Sequence, residues 1–483
     1  MPMICLSDFE AYAKKRLPKT TWDFFEGGAD ECYTRDENLL AYKRICFRPR
    51  VLRDVSVIDT RTKLLGTEIS FPVGIAPTGF HRLAWPDGEK STARAAEAMN
   101  TCYISSTVST CTVEEITAAA PNGFRWFQLY ILSNRTLTEG MVRRAEAAGY
   151  QGLVLTVDLP YPGKRRGDFH NNFHLPPHMT VKNFEGVFEK ENSFMYGLPL
   201  SSLDSSLNWN DISWLQSLTH LPIIIKGILT KEDADLAVRH RVQGIIVSNH
   251  GGRQLDGGPA TIDVLSEIVD TVQERAAVYL DGGIRTGSDV LKALALGAKC
   301  VFIGRPALWG LTYKGEEGLR ELLQILRDEF RLSMALTGCA CHQCHAPAQA
   351  REAGGPRCHH RGLCHPGLPQ LLRGSGWDSH PHLHPASQWR TIPESQGLPF
   401  CRPPGLGGQP GTFPGHLCVL AWQHPRRPGF PELGPVPPAG GGDLHPPAGD
   451  PSGGHHHALL HHRRCGIPPP ALAHAPVHGP SLR

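Results

Sequence analysis

Eight short apolar runs recur along the first 340 residues: Pro72 to Ala76, Cys102 to Ile104, Arg125 to Leu129, Gly152 to Val157, Pro222 to Ile225, Gly244 to Val247, Ala277 to Leu280 and Cys300 to Ile303. Between them lie stretches with helical spacing of apolar positions, among them Glu89 to Met99, Leu137 to Ala148, Lys231 to Arg239, Ile262 to Val272 and Asp289 to Leu296. Strands apolar on both faces and separated by amphipathic helices predict a parallel sheet covered by helices. Eight such units predict an α/β fold, a closed (β/α)8 TIM barrel, whose active site belongs at the C-terminal ends of the strands. Ahead of the barrel, Asp8 to Leu17 and Asp36 to Arg44 read as helices of a cap, followed by an extended segment after Asp54. The competing fold, an open doubly wound sheet, needs a glycine-rich turn after its first strand, and Pro77-Thr78-Gly79 is not one. A long insertion, Tyr161 to Trp214, separates the fourth and fifth runs and reads as a lid or binding element.

The pattern stops near Cys339. Beyond it there is no Lys or Tyr, Ile is nearly absent, and Pro, Gly and His dominate. The chain therefore divides into a barrel, 1–340, and a tail, 341–483, too poor in aliphatic side chains to offset its ordering entropy and so expected to be disordered. A retained intron or shifted frame would account for so abrupt a change. Cys341, Cys344, Cys358 and Cys364, with the histidines of 455–462, could suggest a metal site, but their irregular spacing without an apolar mini-core argues for accidental composition and no metal.

A net charge of +3 on 483 residues leaves no electrostatic footprint for nucleic acid or an anionic membrane. No apolar run is long enough to span a bilayer, and Met1-Pro2-Met3-Ile4-Cys5 lacks the order of a signal peptide. Seven of the fourteen cysteines are scattered singly before residue 340, which fits a reducing, intracellular compartment.

Polar residues close every apolar run: Thr78, Ser105 with Ser106, Gln128 with Tyr130, Thr156 with Asp158, Lys226, Ser248 with His250, Asp281, and Gly304 with Arg305. Hydroxyl, amide, ammonium, imidazole, carboxylate and guanidinium groups brought to one rim predict a ligand site. Asp281-Gly282-Gly283-Ile284-Arg285 and Gly304-Arg305-Pro306 follow the seventh and eighth runs, where barrels bind phosphate through glycine amides and arginines. Ser248-Asn249-His250-Gly251-Gly252-Arg253-Gln254 sets a base and a carboxylate clamp three residues apart on a glycine loop.

That last heptapeptide is a signature, and through it the chain, from its N-terminus to about Cys339, resembles the FMN-dependent 2-hydroxyacid oxidases and dehydrogenases, in particular their long-chain type. The resemblance implies that Thr78, Ser105, Gln128, Thr156, Lys226, Ser248, Asp281, Gly283, Arg285, Gly304 and Arg305 hold FMN. It implies that Lys226 stabilises the flavin's anionic reduced form. It further implies that His250 takes a proton with Asp158 as its partner, that Arg253 and Arg165 grip the substrate carboxylate, and that Tyr130 bonds the reacting hydroxyl. Whether the proton leaves carbon, giving a carbanion, or oxygen, with hydride transfer, is open, since both routes use these residues.

Phe24 stands where short-chain members carry a carboxylate-binding tyrosine, and Thr107 where an aromatic often overhangs the substrate. Both replacements imply a larger, apolar mouth, hence medium or long (S)-2-hydroxy acids, oxygen as acceptor and hydrogen peroxide as product. The family also implies a homotetramer in the peroxisome, although Ser481-Leu482-Arg483 has the wrong order for a peroxisomal signal and leaves the cytoplasm as the alternative. Two other readings stand beside it: a dehydrogenase using another electron acceptor, and an inert variant destabilised because the family's closing helix is replaced by the tail.

Overall fold

The computed structural model describes residues 2–188 and 202–341, together with the backbone of 372–373. Barrel strands β1 (Val73–Ile75), β2 (Tyr103–Ser105), β3 (Arg125–Leu129), β4 (Leu153–Thr156), β5 (Ile223–Ile228), β6 (Gly244–Val247), β7 (Ala277–Asp281) and β8 (Val301–Ile303) form a closed barrel, each parallel to the next, with β8 returning to β1. Each lies on one of the apolar runs, as the pattern predicts.

Alternation along these strands divides the core in two. Val73, Ile75, Tyr103, Phe127, Leu153, Leu155, Ile223, Ile225, Ile245 and Val247 face outward to the helices. Cys102, Ile104, Trp126, Val154, Ile224, Ile246, Tyr279, Cys300 and Phe302 face inward, where Trp126 lies 5.6 Å from Tyr279 and 5.8 Å from Phe302. An antiparallel hairpin, Thr62–Leu64 with Thr67–Ile69, adds Leu64 and Ile69 to that inner cluster. With the interior plugged in this way, the barrel's central cleft opens toward the C-terminal ends of the strands.

The cap consists of α1 (Leu6–Arg16), α2 (Lys19–Glu26) and α3 (Tyr33–Leu40), which runs into a 3-10 turn at Ala41–Arg44. Outer helices are α4 (Glu89–Ala98), α5 (Val113–Ala119), α6 (Arg135–Ala147), α7 (Arg166–His170), α8 (Asn210–Leu218), α9 (Lys231–Arg239), α10 (Thr261–Val272), α11 (Gly287–Ala295), α12 (Arg305–Lys314) and α13 (Glu316–Leu336). Asn134, Thr230 and Thr286 cap α6, α9 and α11, and Thr112 with Glu115 forms a capping box at α5. Each such cap contributes about 1 kcal/mol and fixes where the strand-to-helix loop ends.

α2, α5, α7, α8, α12 and α13 are not among the helices that the spacing names. α13 is nonetheless legible in hindsight, because Leu319, Leu322, Leu323, Leu326, Phe330 and Met334 repeat every three or four residues and are buried. Ile45–Cys46 pairs antiparallel with Leu372–Arg373. The rest of the expected tail beyond Cys341, with the cysteines and histidines weighed there as metal ligands, lies outside the described residues; among those that are described, no cluster of potential metal ligands occurs.

Candidate active site

The inward phase of the strands that fills the barrel with Ile104, Trp126, Val154 and Ile224 continues at the next inward positions as Ser106, Gln128, Thr156 and Lys226. These four, with Asp281 and Gly304 from β7 and β8, line a cleft of about 1400 Å³ including its open mouth. Lys226 Nζ donates to Ser248 Oγ at 2.9 Å and lies 3.3 Å from Asp281 Oδ2, all three groups being buried. Burial alone would weaken the ammonium, but Asp281 and Asp158 outweigh it and raise the Lys226 pKa above its ordinary value. Gln128 Oε1 accepts from Thr107 N and Ser106 Oγ, which fixes the amide, and Gln128 Nε2 and Thr156 Oγ1 are buried with no hydrogen-bond partner among the described residues.

Beyond β6 the chain turns sharply. Ser248 Oγ accepts from His250 N at 3.1 Å and Asn249 Oδ1 from Gly252 N at 3.2 Å, bonds that hold His250 at φ 58, the left-handed region a histidine rarely adopts. His250 Nδ1 lies 2.7 Å from Asp158 Oδ1, an arrangement that keeps Nε2 available as the basic nitrogen. Burial pushes the imidazole below its ordinary pKa, Asp158 pulls it partly back, and Lys226 and Arg165 add to the lowering. Asp158 is ionised: burial disfavours its charge, yet His250 and Lys226 bring its pKa below the usual value. It stands behind the imidazole against Gly227, where φ is +116 and a Cβ would meet Asp158 Cβ at 2.7 Å, so only glycine lets the carboxylate approach. Burial and Asp158 together hold the Tyr130 phenol above its ordinary range, protonated and able to donate.

The arginines divide their work. Arg253 Nη1 donates to the carbonyls of Phe24 (2.7 Å) and Gly27 (2.9 Å), and its guanidinium lies 5.1 Å from the Phe24 ring, so the C-terminal end of α2 fixes its plane beside the cleft. Arg165, buried and 3.8 Å from Asp168 Oδ2, enters the lining from the insertion. Arg285 stacks over Trp309 at 4.7 Å and is pushed down to about 10 by burial, with Arg305 adding to the effect. Arg305 donates to Phe25 O, Gly251 O and Gly27 O, tying cap to catalytic loop. Its guanidinium is thereby committed to backbone carbonyls, and what it brings to the rim is also the N-terminus of α12, which has no side-chain cap.

Several expected positions come out differently. The Ser105 hydroxyl donates to Tyr150 OH at 3.0 Å, because Ser105 is on the outward phase of β2; the serine in the cleft is Ser106. Ser248 is fully buried beneath Lys226 and supports it from behind. Thr78 reaches the cleft, but its hydroxyl is paired with His81 Nε2 at 2.6 Å. Thr107 does not line the mouth: it is buried, donates to Gln128 O and accepts from Tyr130 N, while Val108 does line it. Phe24 stands in the lining as expected, stacked on Phe173 at 4.2 Å with the rings 4° from parallel. Of the remaining expected residues, Asp158 stands behind His250 and does not line the cleft, while the others, Tyr130, His250, Gly283, Arg285 and Gly304 among them, meet there.

A cleft combining a buried ammonium, unpaired amide and hydroxyl groups, an anion-seeking rim and a histidine–aspartate pair defines a class, and comparison with known proteins assigns it. Residues 13–349 match the model of the FMN-dependent dehydrogenase family, and the chain belongs to that family. Within it the chain is similar to 2-hydroxyacid oxidase 2 of Bos taurus (60% identical over 339 residues, 70% of this chain and 96% of the relative) and of Homo sapiens (57%, covering 70% and 95%). It is also similar to a peroxisomal (S)-2-hydroxyacid oxidase of Arabidopsis thaliana (51%, 70% and 93%). Among solved structures it resembles mandelate oxidase with (S)-4-hydroxymandelic acid, at 39% identity and a TM-score of 0.68, over 71% of this chain and 97% of that one. It is an FMN-dependent enzyme of the 2-hydroxyacid oxidase group.

The residues present fit FMN. Gln128 Nε2 and Thr156 Oγ1 are the kind of buried unpaired groups that a heteroaromatic ring edge satisfies, and Lys226 supplies a cation beside them. Gly283, at φ +80, would place a Cβ 2.0 Å from Asn38 O, so the loop at Gly282 and Gly283 can present only backbone to a ligand. That loop, Arg285 and the N-terminus of α12 suit a phosphate.

Proposed function

We propose that this chain is an oxidase of medium or long aliphatic (S)-2-hydroxy acids, converting each to its 2-oxo acid with oxygen as acceptor and hydrogen peroxide as co-product. The observation that carries the reading is the His250–Asp158 pair, 2.7 Å apart, opening on the same cleft as Lys226, Gln128 and Thr156. Bound FMN would accept the substrate's two electrons and pass them to oxygen. The protein's own groups do the rest. Arg253 and Arg165 hold the substrate carboxylate, Tyr130 donates to its hydroxyl, and His250 Nε2 takes the departing proton while Asp158 stabilises the resulting imidazolium. Lys226 balances the negative charge that reduction builds nearby.

The substrate class follows from the walls. Phe24 offers no hydroxyl to a carboxylate, and Phe80, Val108, Leu159 and Leu203 line the same mouth. An apolar tail is favoured there by about 0.8 kcal/mol for each methylene it buries. A peroxisomal homotetramer is the setting we propose, in keeping with the peroxisomal relative.

The test is anaerobic reduction of the purified yellow protein by (S)-2-hydroxyoctanoate and by glycolate, followed by oxygen. The expected results are one peroxide per turnover and a kcat/KM for the longer acid at least about tenfold higher. Slow reoxidation by oxygen would instead identify a dehydrogenase, and failure of FMN to raise the melting temperature would identify an inert protein.

A further inference from the structure

Asn38, on cap helix α3, is buried and makes a reciprocal amide pair with Asn249: Asn38 Nδ2 donates to Asn249 Oδ1 at 2.8 Å, and Asn249 Nδ2 returns a bond to Asn38 Oδ1 at 2.9 Å. Asn249 is the residue before His250, and the same Oδ1 that receives Asn38 also accepts from Gly252 N. The left-handed turn at His250 is thus pinned by an amide whose own orientation Asn38 sets together with Pro259 O, which accepts from Asn249 Nδ2 at 3.0 Å. Asn38 has a second set of neighbours. A Cβ at Gly283 would fall 2.0 Å from the Asn38 backbone carbonyl oxygen and one at Gly282 3.4 Å from Asn38 Oδ1, which itself accepts from Thr261 N, and the Thr261 hydroxyl donates to Asp281 O. One residue, far from the chemistry in sequence, therefore bonds the loop that carries the base through its side chain and adjoins the loop suited to the phosphate through its backbone carbonyl and through Thr261.

We propose that Asn38 is a positioning residue that couples the Gly282–Gly283 loop to the backbone of His250, so that a ligand seated on the first sharpens the placement of the second. The proposal rests on the functional reading above and adds a residue that touches neither substrate nor base. Only a carboxamide can serve. An aspartate of the same shape would set an acceptor against Asn249 Oδ1, and an alanine would leave Asn249 Oδ1 with Gly252 N alone and Asn249 Nδ2 with Pro259 O alone, each short of one buried partner. Through the linkage of the two loops, losing the pair weakens ligand affinity as well as turnover.

Three measurements on the full-length protein test this, comparing wild type with Asn38→Asp, Asn38→Ala and a control, Thr34→Ala, which removes the hydrogen bonds between α3 and Gly258. In Asn38→Asp, kcat for (S)-2-hydroxyoctanoate should fall about 10- to 100-fold with KM within about threefold, and the FMN dissociation constant should rise about tenfold. The control should lose comparable melting temperature yet keep turnover within about twofold. The third readout needs no turnover: ring resonances of isotope-labelled His250, assigned by comparison with His250→Gln, titrated with and without FMN. His250 is faced by Asp158, Lys226 and Arg165. In wild type saturating FMN should move its titration, and in Asn38→Asp, at saturating FMN, that response should be clearly smaller. Equal His250 titrations in the two proteins, or a control that loses turnover as severely as Asn38→Asp, would overturn the coupling. If wild type bound FMN but oxidised no hydroxy acid, the functional reading would fall while the resonance comparison still decided this one.

Discussion

The two halves of the cleft are built by different means. Gln128, Thr156, Lys226 and Asp281 are placed by the barrel itself, each at an inward position at or next to the end of a strand whose register is fixed by ladders such as Thr156 to Lys226. Phe24, Arg253 and Arg165 are placed by the cap and the insertion, through α2 carbonyls, the Phe24–Phe173 stack and the bond from Asn171 Nδ2 to Asp23 Oδ2 at 2.7 Å. The side proposed for the cofactor is thus built into the fold, while the side proposed for the substrate depends on how two added segments dock upon it. A family built this way can keep its flavin chemistry and change its substrate by altering the added segments.

The sharpest break in that comparison is at the group shared by both halves. His250→Gln should lower kcat by about 10³- to 10⁴-fold while FMN stays bound with nearly unchanged affinity, measured by turnover and flavin fluorescence. Next in size is Asp158→Asn, expected to cost about 10²- to 10³-fold in kcat. Because Asp158 raises the His250 pKa against the lowering from burial, its neutralisation should move the acid limb of kcat/KM to lower pH. In wild type that limb should already lie below the ordinary imidazole value of 6.5, since the folded imidazole releases its proton more readily than the free one. The sign for stability is the same: stability attributable to this group is present above 6.5 and is lost as pH falls from there through the lower folded value.

On the cap side, Phe24→Tyr should leave FMN binding alone and raise kcat/KM for glycolate about tenfold, by restoring one hydrogen bond to the substrate carboxylate. The smallest contrast separates two adjacent residues, the last of β2 and the one that follows it. Ser106→Ala should weaken FMN by about two- to tenfold and Ser105→Ala should leave it unchanged, titrated by fluorescence quenching.

The same division governs what could be read from the chain alone. The strands were legible because buried parallel strands are apolar throughout, and the rim because polar residues end each one. The resemblance names Ser105, whereas the two-residue period that turns Ile104 inward selects Ser106, the serine that lines the cleft. Asn38 left no local signal, since its meaning lies in Asn249, 211 residues away. The commitment of Arg305 to Phe25 and Gly27 was hidden likewise, because α2 was not foreseen and its C-terminal carbonyls had no predicted place. Contacts between the cap and the barrel are set by packing, and periodicity does not report them.

The central claim is that a histidine held by the barrel faces a flavin in the same cleft. Anaerobic mixing of the FMN-loaded protein with (S)-2-hydroxyoctanoate, followed by visible absorbance in a single turnover, tests it most directly. Wild type should lose its yellow colour within the time of one turnover while His250→Gln stays oxidised; bleaching of both at the same rate would contradict the account.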